Sequence, residues 1–149
     1  MTEVSFYHLQ RQPLEQALPR LLDRVLASGR RAVVMAGSPE RIQALNALLW
    51  TYDPASFLPH GARGDGFAED QPIFLTEREE RPNGADVLAL VDGVMPSFFA
   101  DFARCLDLFD GNDPQAVEDA RGRWRTYKEA GCAVTYWQQS AEGRWEKKA

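Results

Sequence analysis

Short apolar runs alternate along this chain with longer stretches whose apolar residues recur every three or four positions. "VSFYHL" (4–9), rich in β-branched and aromatic residues, predicts a strand. In "PLEQALPRLLDRVLAS" Leu14, Leu18, Leu21, Leu22, Val25 and Leu26 stand at helical spacing, and Gly29 is a natural stop. Pro19 interrupts that pattern and predicts a late start or a kink. "RAVVMA" (31–36) fits a strand buried on both faces. Ser38-Pro39 then reads as the cap and first-turn proline of a helix with Ile42, Leu45, Leu48 and Leu49 inward. "SFLPH", "PIFLT", "DVLALVDG" and "CLDLFD" (105–110) predict further strands, with Asp107 the odd member of the last. Asn112-Asp113-Pro114 opens a final helix that Gly131 closes, and "AVTYWQQ" (133–139) predicts a last strand. The glycine-rich "GARGDGFAEDQ" (61–71) and the acidic "EREE" (77–80) read as exposed loops. Residues 1–139 form one α/β domain on this reading, and 140–149 a fraying C-terminal tail. Strand–helix–strand order at the start implies a parallel sheet.

Composition narrows the function. The 149 residues carry 17 Lys and Arg against 22 Asp and Glu, which argues against a general duplex-DNA binder. No apolar run approaches the ~20 residues of a membrane span, and no signal peptide is apparent at the N-terminus. The two cysteines, Cys105 and Cys132, fit free thiols in a reducing cytoplasm, although one disulfide is compatible with the sequence. Catalytic and cofactor signatures are missing. The turn after the first strand, "HLQRQP", has no glycines to admit a pyrophosphate, and nothing matches a phosphate loop or a nucleophile elbow. A nucleophile would have to use His8 or His60, and His60 reads as structural. Metal ligands lack useful spacing, so neither cofactor nor metal is expected.

One stretch runs against the acidic whole. "DARGRWRTYKEAG" (119–131) crowds Arg121, Arg123, Arg125 and Lys128 around Trp124 and Tyr127. On a helix Arg121, Trp124, Arg125 and Lys128 share a stripe with Val117, while Ala116, Ala120, Tyr127 and Ala130 offer a small apolar face to the sheet. Two readings compete. The stripe is either a solvated face with a half-buried Trp124 under arginine stems, or a peptide site where a notch takes a side chain and cations take a carboxylate. Single-stranded DNA stacked on Trp124 is a rival ligand.

The opening "VSFYHL", the run "LASGRRAVVMAGSPERIQALNALLW", the segment from Trp50 through "DPASFLPHG" and the closing "ARGRWRTYKEAG" together resemble the chi-subunit family of bacterial DNA polymerase III holoenzyme. The resemblance implies a Rossmann-like, mostly parallel sheet flanked by helices, without a functional nucleotide-binding loop. It also implies a non-catalytic accessory subunit at the clamp-loader end of the replicase. Such proteins bind the acidic C-terminal tail of single-stranded DNA-binding protein, which ends in a phenylalanine carboxylate preceded by aspartates, so that DNA contact is indirect. By position, Arg121 matches the family's tail-binding arginine and Trp124 its aromatic wall. Val117 stands where some members have a tail-binding lysine, and Arg125 and Lys128 extend the same stripe. Trp50 and Phe57 match the surface that docks a psi subunit, another clamp-loader component or a helicase, though both residue types at such positions are also common in cores. Direct single-strand binding and a degenerate helicase-like nucleotide-binding domain remain the alternative functions.

Overall fold

Apolar runs without alternation belong in the middle of a parallel sheet, where helices cover both faces. Three of the predicted runs sit there. The computed structural model describes residues 2–10, 12–51, 60–62, 67–140, 142 and 144–148. Its strands are Glu3–Leu9 (β1), Ala32–Met35 (β2), His60–Ala62 (β3), Ile73–Thr76 (β4), Val87–Leu90 (β5), Arg104–Asp110 (β6), Ala133–Gln139 (β7) and Trp145–Lys147 (β8). They form one sheet in the order β3-β4-β2-β5-β6-β1-β7-β8. Every pairing is parallel except that of β7 with β8. β2, β4 and β5 are buried at every position.

Among the described residues three α-helices cover the two faces. Helices Leu14–Ala27 (α1) and Pro39–Thr51 (α2) pack on one side, against Tyr7, Leu9, Val34, Leu75, Ala89, Leu106 and Leu108. Helix Pro114–Glu129 (α3) and the segment around Phe98 and Phe102 cover the other, against Val4, Phe6, Val33, Leu88, Cys105 and Phe109. Side chains of successive strand residues alternate between these two cores, as the pleat requires.

The predicted caps are in place. Arg41 N donates to Ser38 Oγ at 3.2 Å, and Asp113 accepts from Gln115 N at 3.0 Å with Pro114 in the first turn. Gly29 and Gly131 stand at φ +81° and +89°, the left-handed conformation that ends a helix without Cβ strain. "EREE" is loop, but not free of the fold: Glu79 accepts from the Ser97 hydroxyl at 2.7 Å.

Three expectations change. α1 starts at Leu14 and runs through Pro19, which is buried among its inward residues. "SFLPH" contributes His60 to β3, while 56–59 lie outside the described residues. The last residues do not fray throughout: Trp145–Lys147 adds an antiparallel strand, and the Trp145 ring meets Tyr7 edge-on at 5.0 Å. No helix among the described residues is long and apolar enough to cross a membrane.

Candidate functional site

Helix phase decides what each residue of α3 does. Ala120, Arg123 and Tyr127, at i, i+3 and i+7, are buried against the sheet. Arg123 therefore leaves the cationic crowd that the sequence places it in. Its Nε and Nη2 donate to the Asp107 carboxylate at 2.7 and 3.0 Å, and the two side chains are only 8% and 1% exposed. Burial pushes the Asp107 carboxyl up, while the hydrogen bonds and charge of Arg123 pull it back. The odd aspartate of β6 is half of a bidentate buried ion pair.

Ala130 is exposed and Ala116 only half-buried, so the inward face is narrower than the spacing of small residues implies. Trp124 fills the gap at its edge. Its half-buried indole packs on Phe6 at 5.7 Å and on Tyr136 at 6.2 Å. Lys128 Nζ lies 5.5 Å from the indole centroid, a cation–π contact on the outer side.

Between α3 and the sheet a cavity of about 390 Å³ opens to solvent, lined by Phe6, Phe109, Val117, Ala120, Arg121, Trp124, Arg125 and Tyr136. Its floor comes from adjacent strands: Phe6 of β1 stands opposite Tyr136 of β7 in the register, and both face α3. Its rim is cationic. Arg121 is 68% exposed and pairs at 3.6 Å with the equally open Glu118, an attachment worth only ~0.2–1 kcal/mol. Its charge still acts on the Tyr136 phenol, lowering a pKa that burial raises. Arg125 is exposed and makes no ion pair among the described residues. Of the predicted stripe, Val117, Arg121, Trp124 and Arg125 line the cavity, and Lys128 covers Trp124 from outside. Phe6, Phe109 and Tyr136 were not predicted. Their signal was an aromatic at the same facing parity in each of three runs, informative only once the strand order is known.

The floor is fixed by a histidine. His8 stacks edge-on against Phe109 at 5.2 Å and Tyr136 at 5.7 Å, and its Nδ1 hydrogen-bonds the Tyr136 hydroxyl. A Cβ on Gly111 would overlap the His8 ring, so glycine is the residue that fits there without displacing the histidine. Burial pushes the His8 pKa down, opposed by a backbone hydrogen bond at Gly111 and the charge of Asp110.

The other predicted surface lies elsewhere. Trp50, at the end of α2, is 57% exposed and stacks on His60 at 4.7 Å. His60 itself is buried, with Nε2 3.2 Å from the Asn46 carbonyl oxygen, in keeping with a structural role. Phe57 lies outside the described residues. Cys105 and Cys132 are both free thiols.

In open parallel sheets ligands enter where neighbouring connections leave to opposite faces, here at the carboxyl ends of β1 and β6. That crevice, about 700 Å³, carries Glu15, Asp92, Asp110, Asp113 and Asp119. Its arginines among the described residues are engaged: Arg41 with Asp92 at 3.1 Å and Arg123 with Asp107. A polyphosphate would meet carboxylates and, at the head of α1, Pro13 in place of a glycine loop.

A curated relative from Rickettsia prowazekii (strain Madrid E), "Probable DNA polymerase III subunit chi", is 32% identical over 91 residues, 61% of this chain. The alignment spans just over half, 55%, of that relative's own length. "DNA polymerase III subunit chi" of Escherichia coli (strain K12) is 24% identical over 119 residues, covering 79% of this chain and 80% of the relative. The family described as "DNA polymerase III chi subunit, HolC" matches residues 1–135, nearly the whole chain. The protein belongs to the DNA polymerase III chi-subunit family.

Proposed function

We propose that the protein is a non-catalytic accessory subunit of the bacterial replicase that holds the acidic C-terminal tail of single-stranded DNA-binding protein in the α3 cavity. One observation carries this reading: an apolar notch walled by Phe6, Phe109 and Trp124 is rimmed by the guanidinium groups of Arg121 and Arg125. A tail that ends in a phenylalanine carboxylate presents the complementary chemistry. The ring enters the notch, the terminal carboxylate takes a two-pronged hydrogen bond from Arg121, and upstream aspartates lie toward Arg125 and Lys128. Exposed ion pairs contribute little singly, so the ring supplies much of the affinity. Many tails on coated DNA raise the effective concentration and make individually weak contacts useful.

Bridging needs a second attachment, and Trp50 supplies its anchor. The α2–β3 end of the sheet lies five strands from β1, roughly 24 Å at a spacing of about 4.8 Å per strand, and α2 covers the face opposite α3. A clamp-loader or psi-like subunit, or a helicase, docked on Trp50 would leave the tail cavity open. In this role the protein works in the cytoplasm with the replicase and meets DNA through the coating protein at this site.

The test is a titration with the tail peptide carrying a free C-terminus and the same peptide amidated. Loss of binding on amidation supports terminal capture. Equal binding of both would reduce the site to general attraction for acidic chains.

A further inference from the structure

Neighbouring residues of β7 face opposite sides of the sheet, so while Tyr136 floors the α3 cavity, Trp137 points into the other core. On that second side, between the C-terminal end of α1 and the β1, β6, β7 and β8 strands, lies another groove of about 440 Å³. The half-buried indoles of Trp137 and Trp145 border it, and Tyr7 stands at its back, edge-on to Trp145.

Its charge is one-sided. Arg24, Arg30 and Arg104 line it, and Glu3 is the only carboxylate among the described lining residues. None of the three arginines makes an ion pair among the described residues. Arg104 Nε is buried and makes no hydrogen bond there. The positive charge of Arg104 and Arg24 reaches the Tyr7 phenol, opposing the upward push of burial on its pKa. β8 adds a fourth cation. Lys147 is directly opposite Trp137 in the antiparallel register, which puts both on the same face.

From this we infer a second binding site, for a short stretch of single-stranded nucleic acid, with Trp137 and Trp145 as stacking surfaces and Arg24, Arg30, Arg104 and Lys147 as phosphate contacts. Guanidinium groups around two half-buried indoles match an alternation of phosphate and base better than a run of carboxylates, which would leave the indoles without a stacking partner. The groove takes one or two nucleotides, not a long track, which is compatible with an acidic chain. It lies across the sheet from the tail cavity, so both ligands fit at once, and the inference stands independently of the tail reading.

The experiment is fluorescence anisotropy of a labelled oligothymidylate of about ten nucleotides, at low salt. Binding is expected to weaken at least about tenfold in Arg24→Glu/Arg30→Glu, both exposed positions whose loss leaves the fold intact, and about tenfold in Trp145→Phe/Lys147→Glu. One or two nucleotides are flanked by two or three phosphates, so log affinity should fall against log salt with a slope of about −1.4 to −2. Saturating tail peptide should not displace the oligonucleotide. No binding at low salt, binding lost in Arg121→Ala but not in the Arg24/Arg30 variant, or equal binding of an oligoglutamate would overturn the assignment.

Discussion

Arg123 reaches from α3 across the sheet face to grip Asp107 of β6 with two hydrogen bonds, and it does so from between two exposed arginines, Arg121 and Arg125. Two residues along a helix are about 200° apart, so alternate arginines in one short motif face interior and solvent. The motif is two devices in one: Arg123 locks the helix to the sheet, and Arg121 and Arg125 present charge at the rim of the cavity it holds open.

Removing Arg123 should therefore be a stability lesion. Arg123→Ala leaves a carboxylate 1% exposed without its partner, and unfolding free energy is expected to fall by about 3–5 kcal/mol. Arg125→Ala, on the solvent side, should change it by less than about 0.5 kcal/mol. Urea titration of both variants checks the contrast.

Acid should loosen the cavity floor through His8. Its folded pKa is held below the ordinary value, chiefly by burial, so the unfolded chain binds the proton more readily. The stability this gives is present above the unfolded value of about 6.5 and is lost as pH falls from there through the lower folded pKa. Melting temperatures at about pH 7.5 and pH 5.5 should diverge in the native protein and diverge less in His8→Phe.

The terminal strand gives a third outcome. Trp145 packs on Tyr7 and pairs through β8 with β7, so deleting residues 144–149 should destabilise the protein by about 1–3 kcal/mol. A tail that frayed would be removed without effect.

Thiol reactivity supplies a fourth. Burial pushes the Cys105 thiol up to about 12, whereas Cys132 is only half-buried, with burial pushing its thiol up against the opposing charge of the N-terminus. A thiol reagent at neutral pH should modify Cys132 first and reach Cys105 only on unfolding. Equal rates for both would contradict the packing of Cys105 under Phe99.

Much of the fold was legible because its signals are local. Val33, Leu75 and Leu88 lie in unbroken apolar runs, and Ser38-Pro39, Asp113-Pro114, Gly29 and Gly131 mark helix ends where they fall. Other features were hidden because their partners are distant in sequence. Trp145 reads as part of a polar tail until Tyr7, at the other end of the chain, is known to stand beside it. Asp107 looks anomalous in an apolar strand until Arg123 is rotated inward. The cationic half of the α3 site could be read from spacing alone. Its aromatic half, Phe6, Phe109 and Tyr136, is assembled by the strand order and could not.

The central claim is that Arg121 holds another protein's terminal carboxylate at the mouth of an apolar notch. Arg121→Ala titrated with a labelled tail peptide tests it most directly, because this exposed residue can be removed without disturbing the core. Affinity is predicted to fall about tenfold or more, the loss of a charge-assisted two-pronged contact, with stability unchanged. Undiminished affinity in a folded Arg121→Ala protein would contradict the claim.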